Sequence, residues 1–216
     1  MPYADIAPYY VNLSRTERLY AGFRYLTAPL ERVAALVPAH ARSLVEFGCS
    51  AGVFANIVKA RRPDMDVTGV DVDTRKIAAA AKTVHGRSGI SFVVGDAFGW
   101  LECRRPVEVI AVVDVLSLFE PNRQDEFIHR VVDRMQPGGT LILKEMNDRP
   151  AWKRRWCAFQ EWLAVRVVGF TKGTGVYLRP GDDYRRTMET AGLVVESFDL
   201  SRGYFHPHAA WRGTKK

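Results

Sequence analysis

The spacing of apolar positions changes character along the chain. Before residue 39 they recur at helical intervals. Ser14 followed by Glu17 has the spacing of a capping box and opens ERLYAGFRYL, and Pro29 stands where a second helix, PLERVAALV, can start. Residues 1–38 are therefore predicted to form a helical arm. From residue 43 short apolar runs take over: LVEF (44–47), VTGV (67–70), ISFVV (90–94), VEVIAVV (107–113) and TLILK (140–144). Between them lie the helical stretches VFANIVKARR, TRKIAAAAKTVH and NRQDEFIHRVVDRM, each closed within a few residues by Pro or Gly. Strands that alternate with helices predict a parallel sheet covered on both faces. The ending departs from this rhythm. LVVESFDL (193–200) and YFHPHAAW (204–211) are joined by Ser-Arg-Gly, a hairpin signal, so a sixth strand is expected to pair with an antiparallel seventh. Residues 39–216 thus read as one α/β, doubly wound, seven-stranded domain.

The stretch between Glu145 and Gly192 is too long for a plain crossover, and an insertion is expected at about residues 146–190. It contains Trp152, Trp156, Phe159, Leu163, Val167 and Phe170, at spacings of 4, 3, 4, 4 and 3, which make one apolar helical stripe. Such a stripe suits a helix packed on its own domain, a lid over an apolar substrate, or a peripheral membrane contact through residues 152–170.

Composition narrows the class. The 216 residues are 47% hydrophobic and 25% charged, and no uncharged apolar run approaches the roughly 20 residues of a spanning helix. The start, MPYADIAPYY, lacks a basic stretch followed by an apolar core, and the three cysteines (Cys49, Cys103, Cys157) are odd in number and lack metal-ligand spacing. A reducing, cytoplasmic setting is expected. The net charge of +7 fits nucleic acid, an anionic surface or an acidic small molecule, and part of it clusters at Lys153, Arg154 and Arg155, whereas Lys215–Lys216 reads as a solvated tail.

Ligands of an open α/β sheet bind beyond the carboxyl ends of the strands, which directs attention to the residues after each apolar run. After the first come Glu46, Gly48 and Gly52, with Cys49 and Ser50 inside the turn; missing side chains there let backbone N–H groups approach a ligand. After the second come Asp71 and Val72, and a carboxylate at Asp71 can accept from both hydroxyls of a ribose, while Asp73 is the better helix cap. After the third, Asp96 and Ala97 place an acid where it can accept from the exocyclic amine of an adenine. Asp114 follows the fourth strand and Glu145 the fifth, both at the mouth of the site. A nicotinamide dinucleotide loop fits worse, because from Gly48 its remaining glycines would fall on Ser50 and Val53.

Together these positions resemble the class I S-adenosylmethionine-dependent methyltransferases, closely over residues 40–145 and, through the Pro137-Gly138-Gly139 turn and the terminal strand pair, to the end of the chain. The resemblance implies a Rossmann-like fold, S-adenosyl-L-methionine as cofactor and S-adenosyl-L-homocysteine as product. It also implies that the loop Gly48–Gly52 with Glu46 holds the methionine part, Asp71 the ribose, and Asp96 with Ala97 the adenine. Ser50 stands where the family often has another glycine.

An acceptor hydroxyl or carbon must lose a proton as it gains a methyl, which invites a base. The seventh strand must begin at the ligand-binding edge, and it begins Gly203-Tyr204-Phe205-His206-Pro207-His208. Tyr204 and His206 share a face if that strand is regular, so His206 is the first candidate base, with His208 and Glu145 competing. The His-x-His pair has no third ligand spaced beside it, and no metal is expected. Asp114-Val115-Leu116-Ser117 lacks the Pro-Pro-Tyr or Pro-Pro-Phe sequence of the family's adenine and cytosine N-methylating members. The aromatics of the insertion, with Tyr9, Tyr10, Tyr20, Phe23 and Tyr25 of the arm, suit a small, partly apolar or aromatic acceptor methylated at oxygen or carbon. Arg154 and Arg155 would suit a carboxylate or phosphate on it. Two other readings stay open: an RNA methyltransferase or RNA-binding protein, and a non-catalytic module binding a partner or membrane surface.

Overall fold

The computed structural model describes residues 3–103, 107–147 and 177–216. The arm opens with two short 3-10 turns and continues as helix α1 (Arg15–Thr27) and the short helix α2 (Leu30–Ala34). The capping box is formed: the Glu17 amide donates to Ser14 Oγ and the Ser14 amide to Glu17 Oε2. There follow β1 (Ser43–Phe47), α3 (Val53–Arg61), β2 (Asp66–Asp71), α4 (Thr74–Lys82), β3 (Ile90–Val94), α5 (Ala97–Cys103), β4 (Val109–Val113), α6 (Pro121–Arg134) and β5 (Thr140–Met146). The chain ends with α7 (Gly181–Thr190), β6 (Leu193–Asp199) and β7 (His208–Lys215).

The seven strands form one sheet in the order β3-β2-β1-β4-β5-β7-β6. The first five run parallel, and β7 lies antiparallel between β5 and β6. β4, in the middle, is buried at all five positions, as expected of a strand covered on both faces. One face packs Leu44, Val109, Ala111 and Ile142 against Tyr10, Leu13, Val33, Phe54 and Ile57 of the arm, α2 and α3. The other packs Val45, Ile110, Val112 and Leu143 against Phe127, Val131, Tyr184 and Met188 of α6 and α7. The arm thus shares the core of the sheet. A buried polar knot secures it: Asn56 of α3 donates to the Tyr10 hydroxyl at 3.1 Å and to Thr83 Oγ1 at 2.9 Å, and the Arg87 guanidinium lies 3.6 Å over the Tyr9 ring.

Four elements differ from the sequence expectation. α5 is not among the helical stretches named above; it is seven residues long with a glycine inside it, too short for a periodic signal. Residues 181–190, assigned above to the insertion, are the crossover helix α7 packed on β6 and β7. The apolar stripe Trp152–Phe170, the basic residues Lys153, Arg154 and Arg155, and Cys157 lie outside the described residues. β7 begins at His208 instead of Tyr204. Pro207 has no N–H for a ladder, and its carbonyl accepts from the Asn147 amide at 2.6 Å. Finally, Lys215 is no solvated tail: it ends β7, and its Nζ donates to the carbonyls of Val132 and Met135 at 2.7 and 2.9 Å, closing the C-terminus of α6.

Candidate active site

The loop after β1 is built around left-handed backbone. Gly48 and Gly52 both have φ 74°, and a Cβ at either would come within 2.3 Å of Val115 or 2.5 Å of Phe92. Ser50, the departure from glycine, has φ 51° and so adopts the conformation a glycine would supply. Its amide is held by Asp71 Oδ2 at 2.9 Å, while Asp71 Oδ1 accepts from the Asp73 amide at 2.9 Å. The acid at the end of β2 therefore ties together the two loops that edge the site. Ser50 Oγ is buried and has no partner among the described residues. Cys49 is buried, and burial drives its thiol pKa far up, so it is no nucleophile.

Beside this loop the strand ends carry the other predicted residues. Val72 is 70% exposed and Val94 48%, leaving apolar rims on either side of Asp71 and Gly95. Asp73 caps α4 by accepting from the Arg75 amide. Asp96 accepts from the Gly99 amide at 2.9 Å and so caps α5, with Ala97 as that helix's first residue; the carboxylate itself is exposed.

A row of buried charge crosses the sheet face that α1 covers. In-register pairing puts Glu46 of β1, Lys144 of β5 and His208 of β7 on this face. Asp114, at the end of β4 with φ 57°, joins them. Its Oδ1 accepts from Lys144 Nζ at 2.5 Å and its Oδ2 from Arg24 Nη2 of α1 at 2.7 Å. Burial alone would raise the Asp114 pKa, but Lys144 and then Arg24 outweigh it and hold the carboxyl far below the usual range. Burial lowers the Lys144 pKa, and Asp114 opposes the change. Glu46 is raised to about 8, first by burial, despite an Ala55 amide donating to Oε2 at 3.0 Å. Arg24, Tyr20, Glu46, Gly48, Ser50 and Ala51 enclose a cavity of about 20 Å³, room for about one water.

The candidate bases are rearranged. Tyr204 and His206 lie in the loop before β7, so the shared strand face expected of them does not exist; Pro207 is the reason. Tyr204 stands edge-on to His208, 5.5 Å between ring centroids, and the Arg32 guanidinium sits 5.4 Å above its ring. The His206 ring is 6.0 Å from that of His208. His208 is 4% exposed, and its Nε2 lies 3.0 Å from the Thr27 carbonyl. A carbonyl only accepts, so Nε2 carries the proton and Nδ1, which has no partner among the described residues, is left as an acceptor. Burial lowers the His208 pKa to about 3, so at neutral pH the ring is an uncharged hydrogen-bonding group. Arg24 and Thr27 are three residues apart on α1, so this cluster lies within one helical turn of Asp114.

Glu145, proposed from sequence as a competing base, faces the other side of the sheet. It is 1% exposed, and Oε1 accepts from the Val115 and Leu116 amides at 2.9 and 2.7 Å. It braces the turn after β4 and does not reach the mouth. Burial, then Asp114, raises its pKa to about 7.

These two glutamates predict a pH dependence of stability. A carboxyl with a raised folded pKa stabilises fully below its unfolded value and loses that contribution as pH rises through the folded one. Glu145 acts up to about pH 7 and Glu46 up to about pH 8. The depressed His208 opposes them only below its unfolded value of 6.5. Stability in urea should therefore fall between pH 6.5 and 8, by at most about 1.4 kcal/mol per pH unit for each displaced proton. Glu46→Gln should flatten the part above pH 7. A wild-type profile that is level over this range would refute the assignment.

Sequence and structural relatives fit this geometry. A family model described as a methyltransferase domain matches residues 18–197, and the chain belongs to this family of S-adenosylmethionine-dependent methyltransferases. It is 29% identical over 191 residues to trans-aconitate 2-methyltransferase of Sinorhizobium fredii, covering 85% of this chain and 70% of that one. It is 25% identical over 133 residues to ribosomal RNA small subunit methyltransferase C of Hahella chejuensis, covering 59% of this chain and 36% of that protein. An O-methyltransferase family protein from Burkholderia thailandensis superposes with a TM-score of 0.74 at 19% identity, covering 97% of this chain and 62% of that one. The chain thus spans about a third of one relative and less than two thirds of the matched structure.

The residues present suit the cofactor. The glycine-framed loop has a buried hydroxyl at Ser50 without a partner among the described residues, Asp71 closes the edge where a ribose would lie, and exposed Val72 and Val94 offer flat apolar surface to a purine. Arg24 and Lys144 were missed in the sequence, and Tyr20, read there as part of an acceptor enclosure, lines the cavity beside the glycine loop. A lysine directly after the apolar run LIL of β5 was the available signal, since a central strand buries it and it must then have an acid partner.

Proposed function

We propose that this chain transfers a methyl group from S-adenosylmethionine to a small, partly apolar or aromatic acceptor, at oxygen or carbon. The observation that carries this reading is the loop of Gly48, Ser50 and Gly52, all three left-handed and tied by the Ser50 amide to Asp71. When bound, the cofactor supplies a methyl group already activated by its sulfonium. The chain then has to hold, align and exclude water. In this reading Glu46, Gly48, Cys49, Ser50 and Gly52 line the methionine side, Asp71 and Val72 the ribose, and Asp96 with Ala97 the adenine. Asp114 marks the mouth, and the Tyr204–His208 cluster orients the acceptor. His206, half-buried in the loop, is assigned the proton, and neutral His208 accepts a hydrogen bond through Nδ1. Glu145 has no part in the transfer.

Support for a small acceptor comes from the relatives that act on small molecules, the trans-aconitate enzyme among them, and from the absence of a Pro-Pro-Tyr sequence after β4. The test is release of S-adenosylhomocysteine from S-adenosylmethionine with a panel of phenols and carboxylic acids, run beside total RNA. A small acceptor should support turnover, and His206→Ala should slow it at least tenfold with cofactor affinity unchanged. Turnover with RNA alone, its binding falling steeply with salt, would establish the RNA reading instead.

A further inference from the structure

Arg24 is a guanidinium with most of its donors unspent. Of its five N–H groups only one bond is made among the described residues, Nη2 to Asp114. Among the described residues its other neighbours offer no further anion. Glu46 stays largely protonated at neutral pH, and Asp114 is already shared with Lys144, so two cations face one carboxylate. Arg24 also walls the small cavity whose other side is the glycine loop, including Ser50, and the Ser50 hydroxyl is the orphan noted above. A fixed fork of donors and a buried hydroxyl on one cavity, with positive charge in excess, select a planar anionic group.

We propose that Arg24, aimed by the Lys144–Asp114 pair, receives the carboxylate at the amino-acid end of the cofactor, with Ser50 as a second donor. This rests on the cofactor reading above and makes the N-terminal arm part of the cofactor site. Lys144 and Asp114 are positioning residues here: the buried lysine fixes Asp114, and Asp114 fixes the guanidinium plane. A ligand with an amino-acid arm would then bind and hold α1 in place, whereas the bare nucleoside thioether would do neither.

Calorimetry on the whole chain with S-adenosylhomocysteine and with 5′-methylthioadenosine, which lacks the amino-acid arm, tests this. Arg24→Gln should weaken S-adenosylhomocysteine about 10- to 100-fold and leave methylthioadenosine unchanged, with Arg24→Lys between the two. On the unmodified protein, S-adenosylhomocysteine and not methylthioadenosine should slow amide exchange in α1. Equal losses for both ligands in Arg24→Gln, or no loss for either, would overturn the Arg24 assignment while leaving the cofactor reading intact. Wild-type protein that binds neither ligand would overturn both.

Discussion

Asp114→Ala should unfold at a temperature lower by on the order of 10 °C, the largest stability loss expected of any single substitution at the site. Lys144 has 0% of its side chain exposed, and Asp114 is its one acceptor among the described residues. Removing the acid strands an ammonium in the core, and breaking one side of a buried pair costs about 3–5 kcal/mol. For a chain of this length each kcal/mol moves Tm by roughly 2–4 °C. The double variant Asp114→Leu with Lys144→Met should recover most of the loss, because apolar replacements of a buried pair leave no orphan. Thermal unfolding followed by circular dichroism reads both. If Asp114→Ala melts with the wild type, Lys144 has another acceptor and the charge row is misdrawn.

This pair also shows where the sequence stopped being readable. Strand and helix order follow from local periodicity, and all seven strands lie at or near the apolar runs that announced them. The strand ends then bring Glu46, Asp71, Asp96 and Asp114 to one edge of the sheet because parallel topology requires it. What periodicity does not carry is which distant side chains meet. Arg24 and Asp114 are 90 positions apart, and their contact depends on how α1 crosses the sheet. The start of β7 was misplaced because the apolar run includes Pro207, whose missing N–H delays the ladder to His208; that delay moves Tyr204 and His206 into a loop. Glu145 was assigned to the mouth because it ends a strand run, but strand alternation sends it to the face opposite Lys144. Ser50 was read as a departure, and it keeps the left-handed backbone because Asp71 holds its amide.

Asp71→Ala should weaken S-adenosylhomocysteine by about 10- to 100-fold, the scale of losing hydrogen bonds to a charged acceptor. Two effects combine. In the proposed site the ribose would lose its carboxylate, and the Ser50 amide loses the acceptor at 2.9 Å that shapes the loop. Asp71→Asn, which keeps an acceptor for one amide, should fall between Ala and wild type. Equal affinity in all three proteins would mean that the ribose lies elsewhere.

The most direct test of the cofactor site is a calorimetric titration of the wild-type chain with S-adenosylhomocysteine. Saturable one-to-one binding that weakens in Asp71→Ala is predicted, and no heat of binding at millimolar ligand would contradict it.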